Sequence, residues 1–173
     1  MTYLRHASRH VHHTVANYVA QHLELLDWTD AASTPFGAKP VRIQRTPSVL
    51  GDKLADGVTA GVVSITLGDE YGPDPEELGG ALSSQEYPLF IDIFQDTHGA
   101  ALALANDVRD ILLARLPGTQ RWLDVINQST GAVVPGWKLE LEDIDRVSPE
   151  TVMPLRWQVV KLTATAYFPE VTF

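Results

Sequence analysis

The segment YPLFIDIFQDTHGAALALANDVRDILLARL, residues 87–116, has a strand pattern that is followed directly by a helix pattern. Over residues 87–95 the large side chains alternate between two sides, with Leu89, Ile91 and Ile93 on one and Phe90 and Phe94 on the other. Apolar residues on both sides are typical of a central strand that is covered on both faces. We therefore expect this strand to lie in the middle of a sheet.

A helix is predicted directly after this strand, over residues 99–116. Its apolar side chains recur at helical spacing and form one stripe, made of Leu102, Ala105, Val108, Leu112 and Leu116. Asp96 and Thr97 precede the helix and can accept hydrogen bonds from its first free amides. Pro117 and Gly118 are expected to end it.

The regions on either side of this segment contain further elements. A helix is predicted over residues 8–28, with an apolar face made of Val11, Val15, Tyr18, Val19, His22 and Leu26. Strands are predicted over residues 41–46, 58–67, 121–127, 137–142 and 156–168. The last two are expected to form a C-terminal strand pair, residues 137–168, joined through residues 145–154.

This order of elements predicts an α+β fold, an α/β sandwich, in a single domain over residues 1–173. The sheet is expected to be mostly antiparallel or mixed, with about four to six strands, and to be flanked by the two main helices. The chain has no cysteine, which excludes disulfides and thiolate chemistry. No apolar segment has the length of a signal peptide core or a membrane span, so we expect a protein made in the cytoplasm, with no membrane partner.

The acidic residues are concentrated in one part of the chain. The formal charge is −9, and residues 54–108 contain ten acids without a single Lys or Arg. Nucleic-acid binding needs clustered cations that displace counterions from the phosphates. Sequence-specific DNA binding is therefore not expected.

The acids Asp69, Glu70, Asp74, Glu76 and Glu77 lie in an aperiodic segment, residues 68–86, that ends at Glu86. Prolines interrupt the spacing that a calcium loop requires, so a solvated or subunit-facing loop is predicted. Loops longer than about 12–15 residues are usually functional or disordered. We expect this loop, residues 128–136 and residues 148–154 to contact neighbouring chains.

Four histidines occur near the N-terminus: His6, His10, His12 and His13. On a helix His6, His10 and His13 would share a face and could present their imidazoles to a metal ion. Three ligands on one exposed helix without a supporting carboxylate make a weak site. The prediction is therefore a polar or partner-facing surface and no metal. His98, at the start of the second helix, is not expected to be catalytic.

Asp92 is an acid in the middle of an apolar strand. Metal-dependent nucleases place an acid in this way, with Glu-x-Lys on a neighbouring strand, but here Lys138 and Glu140 occur in the opposite order. A buried carboxylate needs a partner, so Asp92 is expected to pair with Arg109 or Arg156, or to accept hydrogen bonds from a nearby loop. No nucleotide-binding or hydrolase motif occurs, so neither a cofactor nor a catalytic residue is expected.

Two segments, YPLFIDIFQD at residues 87–96 and ALANDVRDIL at residues 103–112, resemble the strand-to-helix core of tail terminator proteins of long-tailed (siphovirus-type) bacteriophages. The preceding ITLGDE at residues 65–70, with Pro73, Pro75 and ELGG at residues 77–80, is similar to the loop before that strand. The N-terminal helix and the C-terminal strand pair fit the same layout.

This resemblance implies a non-enzymatic virion protein that forms a ring, usually of six copies. The ring would cap the tail tube at its head-proximal end and bind the head–tail connector, after assembly in the host cytoplasm. DNA would pass through without being specifically bound, and the acids of residues 69–86 would repel it if they line the channel. Two other interpretations stay open: another head–tail joining or tail-completion protein, and a metal-dependent hydrolase built around Asp92.

Overall fold

The computed structural model describes residues 7–27, 41–44, 61–67, 84–95, 97–114, 122–148 and 157–167. Within these ranges the chain forms two helices and seven strands. The helices are α1 (Ala7–His22) and α2 (His98–Ala114). The strands are β1 (Leu26–Asp27), β2 (Val41–Gln44), β3 (Gly61–Leu67), β4 (Ser84–Gln95), β5 (Leu123–Ile126), β6 (Val133–Val147) and β7 (Trp157–Tyr167).

The described strands form one mixed sheet in the order β1-β2-β3-β4-β7-β6-β5. The pairs β1–β2 and β2–β3 are parallel, and the remaining pairs are antiparallel. The predicted α+β class, with a mixed sheet and two helices, is confirmed. The five strands joined by antiparallel pairing match the predicted number, and the two short strands at the parallel edge add to them.

β4 lies in the middle of the sheet, as its sequence pattern predicts. It pairs along its length with β3 on one side and with β7 on the other. Leu89, Ile91 and Ile93 are fully buried in the core that both helices cover. Strands β3 to β7 have a second face, on the side away from the two helices, which we call the outer sheet face. On β4 this face carries Phe90, Asp92 and Phe94, all half-buried.

β3 and β4 approach each other closely at Gly61. This residue pairs with Gln95, and a Cβ atom at position 61 would collide with the carbonyl oxygen of Phe94. Glycine at this position therefore lets the two backbones pair at the end of the sheet where β4 leads into α2.

α1 ends earlier than predicted. The helix stops at His22, where the amide of Leu25 donates to the carbonyl of Ala20 and Glu24 adopts a left-handed φ of 50°. This arrangement resembles the Schellman ending, which usually has glycine at the left-handed position, and here no glycine marks the end of the helix. The predicted extension to residue 28 is wrong, because residues 26–27 instead form β1.

α2 begins as predicted. The hydroxyl of Thr97 accepts a hydrogen bond from the amide of Ala100 at 3.2 Å, which satisfies one free amide of the first turn. Of the predicted stripe, Ala105, Val108 and Leu112 are buried and Leu102 is half-buried, whereas Leu116 lies outside the described residues. The residues that α2 buries are Ala101, Leu104, Ala105, Val108 and Leu112.

The predicted loop at residues 128–136 is shorter than expected, because residues 128–132 form the turn between β5 and β6 and residues 133–136 already belong to β6. The side-chain oxygen of Asn127 accepts hydrogen bonds from the amides of Ser129 and Thr130, at 2.9 and 3.3 Å. Gly131 supplies the positive φ of 69° that the turn needs. β6 then begins at Val133.

β6 is also longer than the predicted strand at residues 137–142, and it runs to Val147. Its register with β7 shifts between Glu142 and Asp145, where Asp143 has a left-handed φ of 49°. A bulge of this kind lets the strand continue after one extra residue. The predicted pairing of the two C-terminal strands is confirmed.

Candidate interaction surface

The N-terminal histidines have a structural role in the described part of the chain, and the prediction of an exposed histidine surface is wrong for two of them. His10 and His12 are buried, with 4% and 5% of their surface exposed. The ring of His12 bonds through Nε2 to the carbonyl of Ile65 at 2.5 Å. His13 is half-buried beside Asn17, and His6 lies outside the described residues.

α1 also covers the sheet edge that β5 forms. The amide of Asn127 points toward β6, so the amides of Ile126 and Gln128 point away from it. Thr14 Oγ1 accepts a hydrogen bond from the amide of Ile126 at 2.8 Å, and His10 Nδ1 accepts one from the amide of Gln128 at 3.1 Å. An open strand edge is a template for uncontrolled pairing, and here two helix side chains occupy it.

Thr14→Val should lower the free energy of unfolding by about 1–3 kcal/mol, because it leaves the amide of Ile126 without an acceptor. Thr165→Val is the matched control, since the buried Thr165 hydroxyl has no hydrogen-bond partner and loses nothing. Urea unfolding followed by circular dichroism measures both changes. Equal stability of Thr14→Val and the unmodified protein would show that this edge contact is dispensable.

The outer sheet face has an acidic residue framed by aromatic rings at its centre. Asp92 lies between Phe90 and Phe94 on β4, and Trp157 Nε1 donates to its Oδ1 at 3.1 Å. The rings of Phe94 and Trp157 stack with centroids 5.8 Å apart. Burial raises the pKa of Asp92, and the hydrogen bond from Trp157 opposes this shift in part. The charged carboxylate is therefore poorly solvated here.

Asp92 forms no ion pair within the described ranges. The predicted pairing with Arg109 is wrong, because Arg109 lies on α2, over the other face, next to Asp110. Arg156, the second predicted partner, lies outside the described residues. Lys161 lies on the same face of the neighbouring strand β7, where its Nζ stands over the ring of Phe90 at 5.6 Å from the centroid.

Two buried hydroxyls without a partner also lie on the outer sheet face. Ser64 is directly across from Asp92 in the β3–β4 pair, and its Oγ has no hydrogen bond. The Oγ1 of Thr165, on β7, is likewise unpaired. Buried polar atoms normally have partners, so these two hydroxyls lower the stability of the sheet.

The residues of the hydrolase interpretation do not come together. Glu140 pairs with Thr165 on β7, whereas Asp92 pairs with Val159, six positions away. At about 3.3 Å per residue this separates them by roughly 20 Å along the sheet. Glu140 is buried and accepts a hydrogen bond from the Tyr167 hydroxyl at 3.1 Å, and Lys138 pairs with Asp124.

The remaining predicted residues are widely separated. Glu86 is an exposed residue of β4 rather than part of a loop, and His98 is exposed at the first position of α2. The other five acids of the predicted contact loop lie outside the described residues, namely Asp69, Glu70, Asp74, Glu76 and Glu77. No three potential metal ligands gather in the part of the chain that the structure describes. Neither described helix is long and apolar enough to span a bilayer.

Sequence reasoning found Asp92 but missed Trp157 and Ser64, which complete its surroundings. Both contacts depend on strand register, because Ser64 pairs with Asp92 and Trp157 with Phe94. In the sequence, the signal for the contact of Trp157 with Asp92 was an indole N–H donor at the start of the last strand. Comparison with protein-family models and with curated proteins gives no match.

Proposed function

We propose that this chain is a structural virion protein that assembles into a ring, caps the tail tube of a long-tailed bacteriophage and joins it to the head–tail connector. The resemblance of residues 65–112 to tail terminator proteins motivates this function. The fold supports it through an order of elements that agrees with that layout. The ring consists of several copies of the chain, six by that resemblance.

The observation that carries the proposal is the outer sheet face. It combines a poorly solvated carboxylate at Asp92 with the stacked rings of Phe94 and Trp157, all half-buried. A poorly solvated carboxylate costs stability in an isolated chain, and a cation supplied by another chain would offset that cost. This surface therefore supports a protein whose function is assembly.

The covered edge at β5 supports the same function. A subunit of a closed ring must bind its neighbours in one defined way and must not extend by open strand pairing. Thr14 and His10 accept the outward amides of Ile126 and Gln128, so strand addition at this end of β5 is disfavoured. We further propose that the acids of residues 69–86 line the channel and repel the passing DNA.

Electron microscopy with tail tubes of the same virus tests this function. Tubes assembled without the protein should grow to variable lengths, and adding the protein should place a ring at one end and stop growth there. Another head–tail joining protein would bind the connector and leave tube growth unchanged. Tubes that keep growing and carry no ring would contradict the proposed function.

A further inference from the structure

The solvent-facing side of α1 carries positive charge and no negative charge. The helix has no Asp or Glu among its 16 residues. Arg9 is exposed near its start and forms no ion pair within the described residues. His13, Asn17 and Gln21 follow at intervals of four residues, so these side chains form one polar line along the helix.

The outer sheet face has the opposite character. Among the described strands it carries two lysines and six acids; the lysines are Lys138 and Lys161, and the acids are Glu86, Asp92, Asp124, Glu140, Glu142 and Asp145. Lys138 is already paired with Asp124. The face therefore attracts a cation, and Asp92 is a half-buried carboxylate on it that forms no ion pair within the described residues.

These two surfaces lie on opposite sides of the same molecule. α1 packs on the face of the sheet that carries Ile65 and Ile91, and Asp92 faces away from it. One copy cannot bring its own Arg9 to its own Asp92, but two copies stacked in the same orientation can. Such a contact joins different surfaces of the two chains, and repeated copies close into a ring when the rotation permits.

An arginine suits the surroundings of Asp92 better than a lysine does. Its planar guanidinium stacks on aromatic rings while it donates to a carboxylate. The stacked rings of Phe94 and Trp157 supply such a surface beside the acid. Trp157 occupies only Oδ1, which leaves Oδ2 as an acceptor.

We propose that the outer sheet face of one copy packs on the exposed side of α1 of the next copy, with Arg9 of one chain bound to Asp92 of the other. This inference rests on the proposed ring assembly and names the interface that builds it. The partner is thus a second copy of this chain, and its recognition element is a helix that carries an arginine and no acid.

A double-mutant cycle that neutralises Arg9 and Asp92 measures the coupling between them. Arg9→Gln and Asp92→Asn should each raise the dissociation constant for self-association about tenfold in sedimentation experiments, because each leaves a charge without its partner. The double variant should be no weaker than either single one, since the two changes remove the same interaction. Arg109→Gln and Asp110→Asn, on α2, are the matched controls and should leave the constant unchanged.

Asp92→Asn also separates a loss of assembly from a loss of folding. The asparagine keeps the oxygen that accepts from Trp157 and removes the poorly solvated charge. Its melting temperature at neutral pH should therefore equal or exceed that of the unmodified protein, while self-association weakens. A variant that melts lower and assembles normally would overturn the interface.

The cysteine-free chain allows a direct test of proximity. In the double variant Arg9→Cys/Asp92→Cys, a short bismaleimide should produce a series of covalent oligomers. A mixture of the two single variants should give dimers only, and each single variant alone should give none. Absence of crosslinked oligomers in the double variant at the highest soluble concentration would overturn the inference.

Failure of this interface and failure of the proposed function give different results. If rings cap the tail tubes but show neither crosslinking nor charge coupling, the proposed interface is refuted and the proposed function stands. If the charges are coupled and the oligomers crosslink but the tubes stay uncapped, the proposed interface stands and the proposed function is refuted.

Discussion

Ile91→Ala should lower the free energy of unfolding by roughly 2–5 kcal/mol, the range for truncating a large aliphatic side chain in a packed core. Ile91 is fully buried on β4, between Ile65 of β3 and Val160 of β7 and under the helices. Shortening its side chain leaves a cavity in the centre of the sheet, where relaxation is limited. Chemical denaturation in urea measures the loss.

Phe90→Ala, one residue away on the outer sheet face, is the matched comparison. Phe90 is only half-buried, and its ring contacts Lys161 rather than a helix layer. We expect its substitution to cost less than half as much stability as Ile91→Ala and to weaken self-association. Equal losses of stability at the two positions would show that the outer sheet face is as much a part of the core as the helix side.

The difference between Ile91 and Phe90 shows which property of this strand the sequence pattern could not predict. Alternation along residues 87–95 predicted the central strand and identified Leu89, Ile91 and Ile93 as one face, and the structure confirms both. The same pattern suggested equal cover on the two faces. Phe90 and Phe94 have the hydrophobicity of core residues, and hydrophobicity alone does not tell an interior from a surface that binds another chain.

The wrong predictions come from contacts distant in sequence. His10 and His12 have the composition of a polar surface, but they accept or donate hydrogen bonds to backbone groups of Gln128 and Ile65, which only the tertiary fold brings near. The early end of α1 at His22 depends on a left-handed Glu24, and no local residue preference predicts it. The surroundings of Asp92 depend on register, which propensity does not determine.

Acid should destabilise this protein through His12. Burial lowers the pKa of His12 below its ordinary value of 6.5, and the hydrogen bond to Ile65 opposes this in part. Between the lowered value and 6.5 the unfolded chain binds more protons than the folded one, so stability falls as the pH drops below about 6.5, by up to about 1.4 kcal/mol per pH unit. The loss ends below the folded pKa, where both states are protonated.

Asp92 acts in the opposite direction. Its pKa is raised, so the folded protein binds a proton more readily than the unfolded chain between 3.8 and the raised value. Its contribution to stability therefore increases as the pH falls through that window, and it offsets part of the loss from His12 there.

His12→Gln separates these contributions, because glutamine has an amide that can still donate to the carbonyl of Ile65 and does not titrate. The slope of unfolding free energy against pH, measured by urea unfolding between about pH 5 and 6.5, should be smaller in this variant than in the unmodified protein. Gln21→Ala changes an exposed residue of the same helix that does not titrate, and it should leave the slope unchanged. Equal slopes in all three proteins would mean that His12 is protonated in the folded state, and that the buried contact between α1 and β3 does not depend on a neutral ring.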